Sequence, residues 1–304
     1  MDRNTKDQQG AERYARVLTW NIHRGIGTDL RYDLDRIIAL IKPHDPDIVA
    51  LQEVDSRGHD QTNLPLTALK QVLGSHAAEA RTIVAPDGHY GHVLISRWPM
   101  HDVNVHELHV SRRETRCAIE ATIESPYGYI RVIAAHLGLR PNEIRPQLDI
   151  FKPLVRGAPT KDPVAQPGGL LMMGDFNDWH GRVRSSLTTL IPTHTMQKTF
   201  PTWRPILNLD RIYCRPGKAL LRSWVDAEAR RASDHLPVYA EVDLAAMAMA
   251  RAPVVPETQE IMVEPAARTI NRATSPLLAK LPAWLGSSSP RMRTKAPRGI
   301  QFSE

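Results

Sequence analysis

Cysteine is nearly missing from this sequence: Cys117 and Cys214 are the only two in 304 residues. Each lies inside an apolar, strand-like run, with no second Cys or His at zinc-ligand spacing. A disulfide framework and a cysteine zinc site are set aside, and two buried free thiols in a reducing compartment are expected instead. Long apolar runs are missing too. No stretch approaches the ~20 residues that span a bilayer, and Met1 to Arg16 is polar and charged, without the apolar core of a signal peptide. These absences predict a cytoplasmic protein with no transmembrane segment. The sequence also lacks a long basic stripe. Its net charge is +6 and its pI near 9.4, but residues 251–304 hold eight Lys and Arg against four Glu. The rest is close to neutral and offers no extended footprint for nucleic acid or an anionic membrane. No internal repeat appears at the periods of solenoids or propellers.

What is present is a series of short apolar, β-branched runs, each ending in a polar cluster: Arg16–Ile22, Ile48–Val54, His92–Ser96, Arg116–Ile123, Tyr129–Leu137, Gly169–Gly174, Leu209–Tyr213 and Leu236–Val242. These read as strands. Leu34, Ile37, Ile38 and Ile41 repeat at helical spacing, so Leu34–Lys42 reads as a helix; Thr67–Gly74 reads as a second, and Asn142–Val155 as a third interrupted by Pro146 and Pro153. Several strands are apolar on both faces, which predicts an α/β fold with two sheets packed face to face and helices outside. The domain reading is a flexible arm over 1–15, a catalytic domain over 16–244, and a largely disordered, basic, Pro/Ser-rich tail over 245–304. Within the tail, Leu277, Leu278, Leu281, Trp284 and Leu285 fall at helical spacing, broken by Pro282. They suggest a short docking or membrane-touching helix.

The informative pattern is that strand after strand ends in Asn, Glu, His or Asp, and ends of neighbouring strands converge. Leu18-Thr19-Trp20-Asn21-Ile22 closes the first strand, Leu51-Gln52-Glu53-Val54 the second, and Ala134-Ala135-His136-Leu137 a later one. Gly174-Asp175-Phe176-Asn177 aims Asp175 and Asn177 the same way if the chain is extended. Ser233-Asp234-His235-Leu236-Pro237-Val238 pairs a carboxylate with an imidazole, a placement suited to acid–base work. Taken singly, each has a plain reading: a turn Asn, an exposed Glu, a satisfied His.

Together, with Leu209-Asp210-Arg211-Ile212, these six motifs in this order resemble the endonuclease/exonuclease/phosphatase superfamily over about Arg16 to Leu244. Gly-Asp-Phe-Asn and Ser-Asp-His are the most specific of them. The resemblance implies a four-layer α/β sandwich like that of deoxyribonuclease I, two packed mixed β-sheets flanked by helices. It also implies a metal-dependent phosphoesterase. Glu53 would be the principal ligand for Mg²⁺ or Mn²⁺, with Asn21 beside it and Asp234 completing the set; hard oxygen donors suit these ions. Asp175 would orient or deprotonate the attacking water, Asn177 would hold a phosphate oxygen, and Asp210 would fix the tautomer of His235. His136, present in the deoxyribonuclease and sphingomyelinase branches, would donate to a phosphate oxygen or protonate the leaving group. His92 stands where relatives commonly have Asn, and Arg116 ends the charged run from Arg112; both are candidate substrate contacts. Trp203, Arg204 and Pro205 would border the substrate.

Three functions stay open on the sequence. A phosphodiesterase acting on a lipid or other small organic phosphate fits the near-neutral folded part and the tail helix. A DNA or RNA nuclease would want a longer basic groove. A catalytically silent binding module would be expected to lack some of these groups, and every expected position is occupied.

Overall fold

The computed structural model describes residues 13–58, 65–110, 113–157 and 168–250. The tail beyond 250 with its Leu277–Leu285 segment, the arm before residue 13, and Arg112 lie outside the described residues.

Two parallel strand pairs set the frame. β1 (Tyr14–Asn21) runs parallel to β2 (Ile48–Asp55); β7 (Gly128–His136) runs parallel to β8 (Leu170–Asp175). Antiparallel strands extend each pair. Around the first pair lie β3 (His76–Ala85), β4 (Gly88–Ser96), β11 (Leu220–Val225) and β12 (Val238–Asp243), in the order β11-β12-β1-β2-β4-β3. Around the second lie β5 (Met100–Glu107), β6 (Cys117–Ser125), β9 (Thr193–His194) and β10 (Asp210–Arg215), in the order β5-β6-β7-β8-β10-β9.

Strand alternation divides the apolar residues into three cores. Ala15 and Val17 of β1, Val132 and Ala134 of β7, Leu171 and Met173 of β8 and Ile212 of β10 meet between the sheets. The opposite face of the first sheet, including Leu18, Trp20, Val49 and Leu51, packs on α1 (Leu34–Ile41) and α2 (Pro65–Leu73), through Ile37, Ile41, Leu69 and Leu73. The opposite face of the second, including Ile133, Ala135 and Met172, packs on α3 (Pro141–Arg156) and α4 (Arg182–Leu187). Helices, sheet, sheet, helices is the four-layer order expected. At ~25 cal/mol per Å² of apolar surface, such double-sided burial is the main stabilising term.

The same topology explains the rim. Parallel neighbours end together, so Asn21, Glu53, His136 and Asp175 reach one edge. Antiparallel neighbours begin there, so Asp210 pairs directly with Asp175, and His235 precedes β12. Parity then selects the face: Asn21 follows Ala15 and Val17, His136 follows Val132 and Ala134, and Asp175 follows Leu171 and Met173, all on the inter-sheet side. Gly174 allows β8 to lie close against β7, because a Cβ there would meet the Ala135 carbonyl oxygen at 1.9 Å.

Four strands, β3, β5, β9 and β11, were not legible in the sequence, and they are the edge strands of the two sheets. β5 is mostly exposed and carries no continuous apolar run. Helix α3 continues through both of its prolines. The expected domain limit at Leu244 needs a correction: α5 (Leu244–Ala248) follows β12 directly, and Leu244 and Met247 are fully buried against the inter-sheet core. A chain ending at Ala250 should therefore unfold cooperatively at the full-length midpoint. One ending at Leu244 loses the buried Met247 and should be less stable by about 2–5 kcal/mol, as for a large-to-small core change; urea denaturation of both would show the difference, and equal midpoints would restore the shorter limit.

Candidate active site

Asn21 joins the two sheets. Its Nδ2 donates to Glu53 Oε1 (3.1 Å) and to Asp175 Oδ2 (3.1 Å), while its Oδ1 accepts from the His23 backbone N–H (3.0 Å). With the amide in this orientation, Asn21 presents a donor to the carboxylates, so serving as an oxygen ligand would require the amide to turn over and give up the His23 bond. Glu53 reaches the cluster through a bulge in β2 between Leu51 and Val54, with φ of 57°. Bulges of this kind re-aim side chains near functional sites, and a non-glycine residue in this region costs on the order of 1–3 kcal/mol.

Asp175 is the centre. It is 1% exposed, accepts from the Asn177 backbone N–H at Oδ1 (3.0 Å), and has its Oδ2 3.6 Å from His136 Nε2 and 3.9 Å from His235 Nε2. Burial, reinforced by Asp210, pushes its pKa up to about 6. Asn177 adopts a left-handed φ of 46°, which Asn tolerates, and donates its Nδ2 to the Leu137 carbonyl (2.9 Å).

Asp210, fully buried, accepts from His235 Nδ1 (2.8 Å) and Thr199 Oγ1 (2.5 Å), both at Oδ2; its Oδ1 has no hydrogen-bond partner. Burial alone would lower the pKa of His235, but Asp210 and Asp175 raise it to about 10. His235 is therefore an imidazolium at neutral pH.

His136 differs. Burial, Arg116 and His92 hold its pKa well below the ordinary value. Arg116 Nη1 lies 3.0 Å from His136 Nδ1 and 3.3 Å from its Nε2; a guanidinium can only donate, so the neutral ring offers it an unprotonated nitrogen. A neutral imidazole can give a hydrogen bond to a phosphate oxygen, but it is no acid for a leaving group.

These groups line a cleft of about 650 Å³, with Asn21, Glu53, Arg116, His136, Asp175, Asn177, Asp234 and His235 among its walls. Arg116 is 7% exposed and also pairs with Glu114 (3.1 Å). Asp234 is open to solvent, its side chain 41% exposed and 4.0 Å from His23 Nδ1. His92 is corrected: it is 2% exposed, with its Nε2 unpartnered, and it lies outside the cleft wall. Burial and Arg116 lower its pKa to about 4, so it is a neutral ring behind the wall, within electrostatic reach of His136. Asp210 likewise acts from behind His235. Trp203 is 77% exposed, and the apolar wall of the cleft is made instead by Leu139, Trp179 and Phe200, the last 4.9 Å from the His235 ring.

Asp175, Asp210 and His235 offer ligand atoms within 4.8 Å of one another. Protonated His235 has no lone pair to give, however, and already neutralises that pair. The better fit for a divalent cation is the Glu53 carboxylate with the Asp234 carboxylate on the same cleft wall, neither with a Lys or Arg within ion-pair range among the described residues. Hard oxygens of this kind suit Mg²⁺ or Mn²⁺.

The fold and this rim belong to one class. A family model described as Endonuclease/Exonuclease/phosphatase family matches residues 18–235, and the chain belongs to that family, whose members are hydrolases acting on phosphate esters. It is 31% identical over 255 residues to uncharacterized protein YbhP of Escherichia coli K12, covering 75% of this chain and 96% of that protein. An endonuclease/exonuclease/phosphatase structure from Beutenbergia cavernae matches with TM-score 0.61 at 23% identity, covering 80% of this chain and 73% of that one. A variant of the 3' phosphatase NExo from Neisseria, bound to a product DNA hairpin, matches with TM-score 0.52 at 23% identity over 75% of this chain and 99% of that one.

Several supporting residues were not legible in the sequence. Trp20 donates from its indole N–H to the His235 carbonyl (2.7 Å), and Ser233 Oγ donates to the Asn21 carbonyl (2.7 Å). Both lie inside the Thr-Trp-Asn and Ser-Asp-His motifs, which was the available signal. Thr199 and the buried Asp178–Arg211 ion pair (3.0 Å) carried none, because their partners are set by tertiary contact.

His235 should stay protonated well above neutral pH in metal-free protein. The stability that this raised pKa contributes is complete below about 6.5 and is lost as pH rises through about 10. Asp210→Asn should return the ring toward its ordinary range, read from imidazole proton shifts in an NMR titration. An unchanged midpoint in the variant would show that Asp210 does not hold the charge.

Proposed function

We propose that this chain is a Mg²⁺- or Mn²⁺-dependent phosphoesterase, in the first place a phosphodiesterase, acting on a lipid or other small organic phosphodiester. The observation that carries this reading is the meeting of Asn21, Glu53, His136, Asp175, Asn177 and His235 at one rim, in a cleft of about 650 Å³, the size of a site for a small organic molecule. Stretches far apart in the chain supply them, and no packing requirement asks for two carboxylates, two amides and two imidazoles to converge there.

In this reading Glu53 is the principal ligand, with Asp234 and a turned Asn21 completing the set. A cation bound there supplies positive charge to the scissile phosphate. Asp175 in its ionised form takes a proton from the attacking water, Asn177 and the N–H of neutral His136 hold a phosphate oxygen, and Arg116 fixes His136 while facing the same oxygen. The His235 imidazolium, anchored by Asp210, stabilises negative charge as it develops. Placing the work in the cytoplasm agrees with two buried free cysteines and with the finding that no helix among the described residues is long and apolar enough to cross a membrane. The catalytic unit is taken as residues 13–250, and the tail as a separate contact segment.

A nuclease is the second reading, favoured by the likeness to the Neisseria phosphatase bound to a DNA hairpin. The cleft walls weigh against it: Arg24, Arg57 and Arg116 share the lining with four acids, Glu53, Glu114, Asp175 and Asp234.

Purified protein with Mg²⁺ should turn over bis-p-nitrophenyl phosphate, and Glu53→Gln should lower kcat by roughly 10²–10³, as the loss of one charge-stabilising group does. Assays on phospholipid vesicles, supercoiled plasmid and single-stranded RNA then separate the readings, and cleavage of nucleic acid alone would favour the second. A bound cation lowers the pKa of Asp175 below its metal-free value of about 6, so with Mg²⁺ the rate should rise with pH only on the acid side of 6 and stay level across neutral pH. A fall across neutral pH would remove Asp175 from the base role.

A further inference from the structure

One arginine in the cleft has no counter-ion among the described residues. Arg57 spends its guanidinium on Asp55, donating from Nε to Oδ1 (2.9 Å) and from Nη2 to Oδ2 (2.8 Å). Arg116 is engaged by Glu114 and His136. Arg24 makes no hydrogen bond or ion pair to any described residue; its guanidinium lies over the ring of Tyr90 at 5.9 Å, the same ring that Arg57 covers at 5.4 Å. Asp55 is within electrostatic reach of Arg24, but both its oxygens are already taken by Arg57. Burial and then Glu53 raise the pKa of Tyr90, so the ring beneath this pair of arginines is also a near neighbour of the Glu53 carboxylate, and all four residues line the cleft.

The backbone that carries Arg24 is costly. His23, Arg24 and Gly25 have consecutive positive φ values of 46°, 60° and 72°. Two non-glycine residues in this region cost on the order of 1–3 kcal/mol each. The turn is pinned by the Gly25 N–H to the Ile22 carbonyl (2.8 Å), the Ile26 N–H to the His23 carbonyl (2.9 Å) and the ring of Tyr32 against Gly25. A strained turn that holds an exposed guanidinium, unpaired among the described residues, over an aromatic ring at the wall of the cleft presents a ready partner for an anion.

We propose that Arg24, with Tyr90 and Arg57 beneath it, forms a second anion subsite, and that the substrate carries a second phosphate or similar anionic group besides the scissile one. This rests on the phosphoesterase reading for the place of the first phosphate. Arg24 is thus a specificity-determining residue, and its task is to select substrates by their second charge.

Non-hydrolysable phosphonates test this with Mg²⁺ present and no turnover. Calorimetry would compare methylphosphonate with linear alkane bisphosphonates of increasing spacer length. One spacer should bind the wild-type protein about tenfold more tightly than methylphosphonate, the scale of one added charge-assisted contact. That advantage should vanish in Arg24→Gln and in Arg24→Gly and survive in part in Arg24→Lys. Arg24→Gly also relieves the strain at this φ, so its melting temperature should not fall, and a lost advantage cannot be blamed on misfolding. Bisphosphonates that never exceed the statistical factor of about two expected of a ligand with two equivalent ends, or an advantage that persists in both charge-removing variants, would overturn the subsite. If methylphosphonate itself fails to bind, the phosphoesterase reading fails; if it binds and no bisphosphonate gains, only the second subsite falls.

Discussion

The constraint on which this structure depends is the crowding of carboxylates at one rim. Asp175 and Asp210 face each other across neighbouring strands, both buried, with Glu53 joined to the same group through Asn21. Buried charges of one sign are costly unless compensated. The compensation is divided. His235 takes the inner side as an imidazolium between Asp210 and Asp175, and the Asn21 amide takes the middle. The outer side, at Glu53, has no Lys or Arg within ion-pair range among the described residues, which suits it to a divalent ion.

Much of the surrounding structure keeps this arrangement rigid. Trp20 buries its whole side chain beneath the first sheet and spends its one donor on the His235 carbonyl, so the β1 strand and the loop before β12 move as one. Ser233 ties the same loop to the Asn21 carbonyl. On the other sheet, Asp178 caps α4 through the Val183 and Arg184 N–H groups and pairs with Arg211, next to Asp210. Each tie satisfies a polar group that would otherwise be buried alone, and each also fixes the direction of a site residue.

The two imidazoles show how placement divides the chemistry. They stand 3.6 and 3.9 Å from Asp175, yet one is held neutral by burial, with Arg116 adding to it, and the other is charged by its aspartate partners. A single carboxylate flanked by a neutral donor and a cation can lose its proton without either neighbour changing state. That division could not be read from two histidines in a sequence.

The sequence alone determined the class of layers and the identity of the converging residues. The central strands are apolar on both faces, and their terminal Asn21, Glu53, His136 and Asp175 break the pattern where burial would otherwise forbid a polar group. Parity and parallel pairing then bring them together. What only the tertiary structure decided is everything that depends on a partner distant in the chain. His92 looks like a cleft residue by its motif but lies behind the wall, and Thr199 and Arg211 carry no local pattern at all. Asn21 turns its amide nitrogen inward because two carboxylates from different sheets meet there, and Arg24 has no ion pair among the described residues while Arg57 holds both oxygens of Asp55. The edge strands escaped notice for the same reason: a strand half open to solvent needs no apolar run, so its place is set by the neighbour it pairs with and not by its own residues.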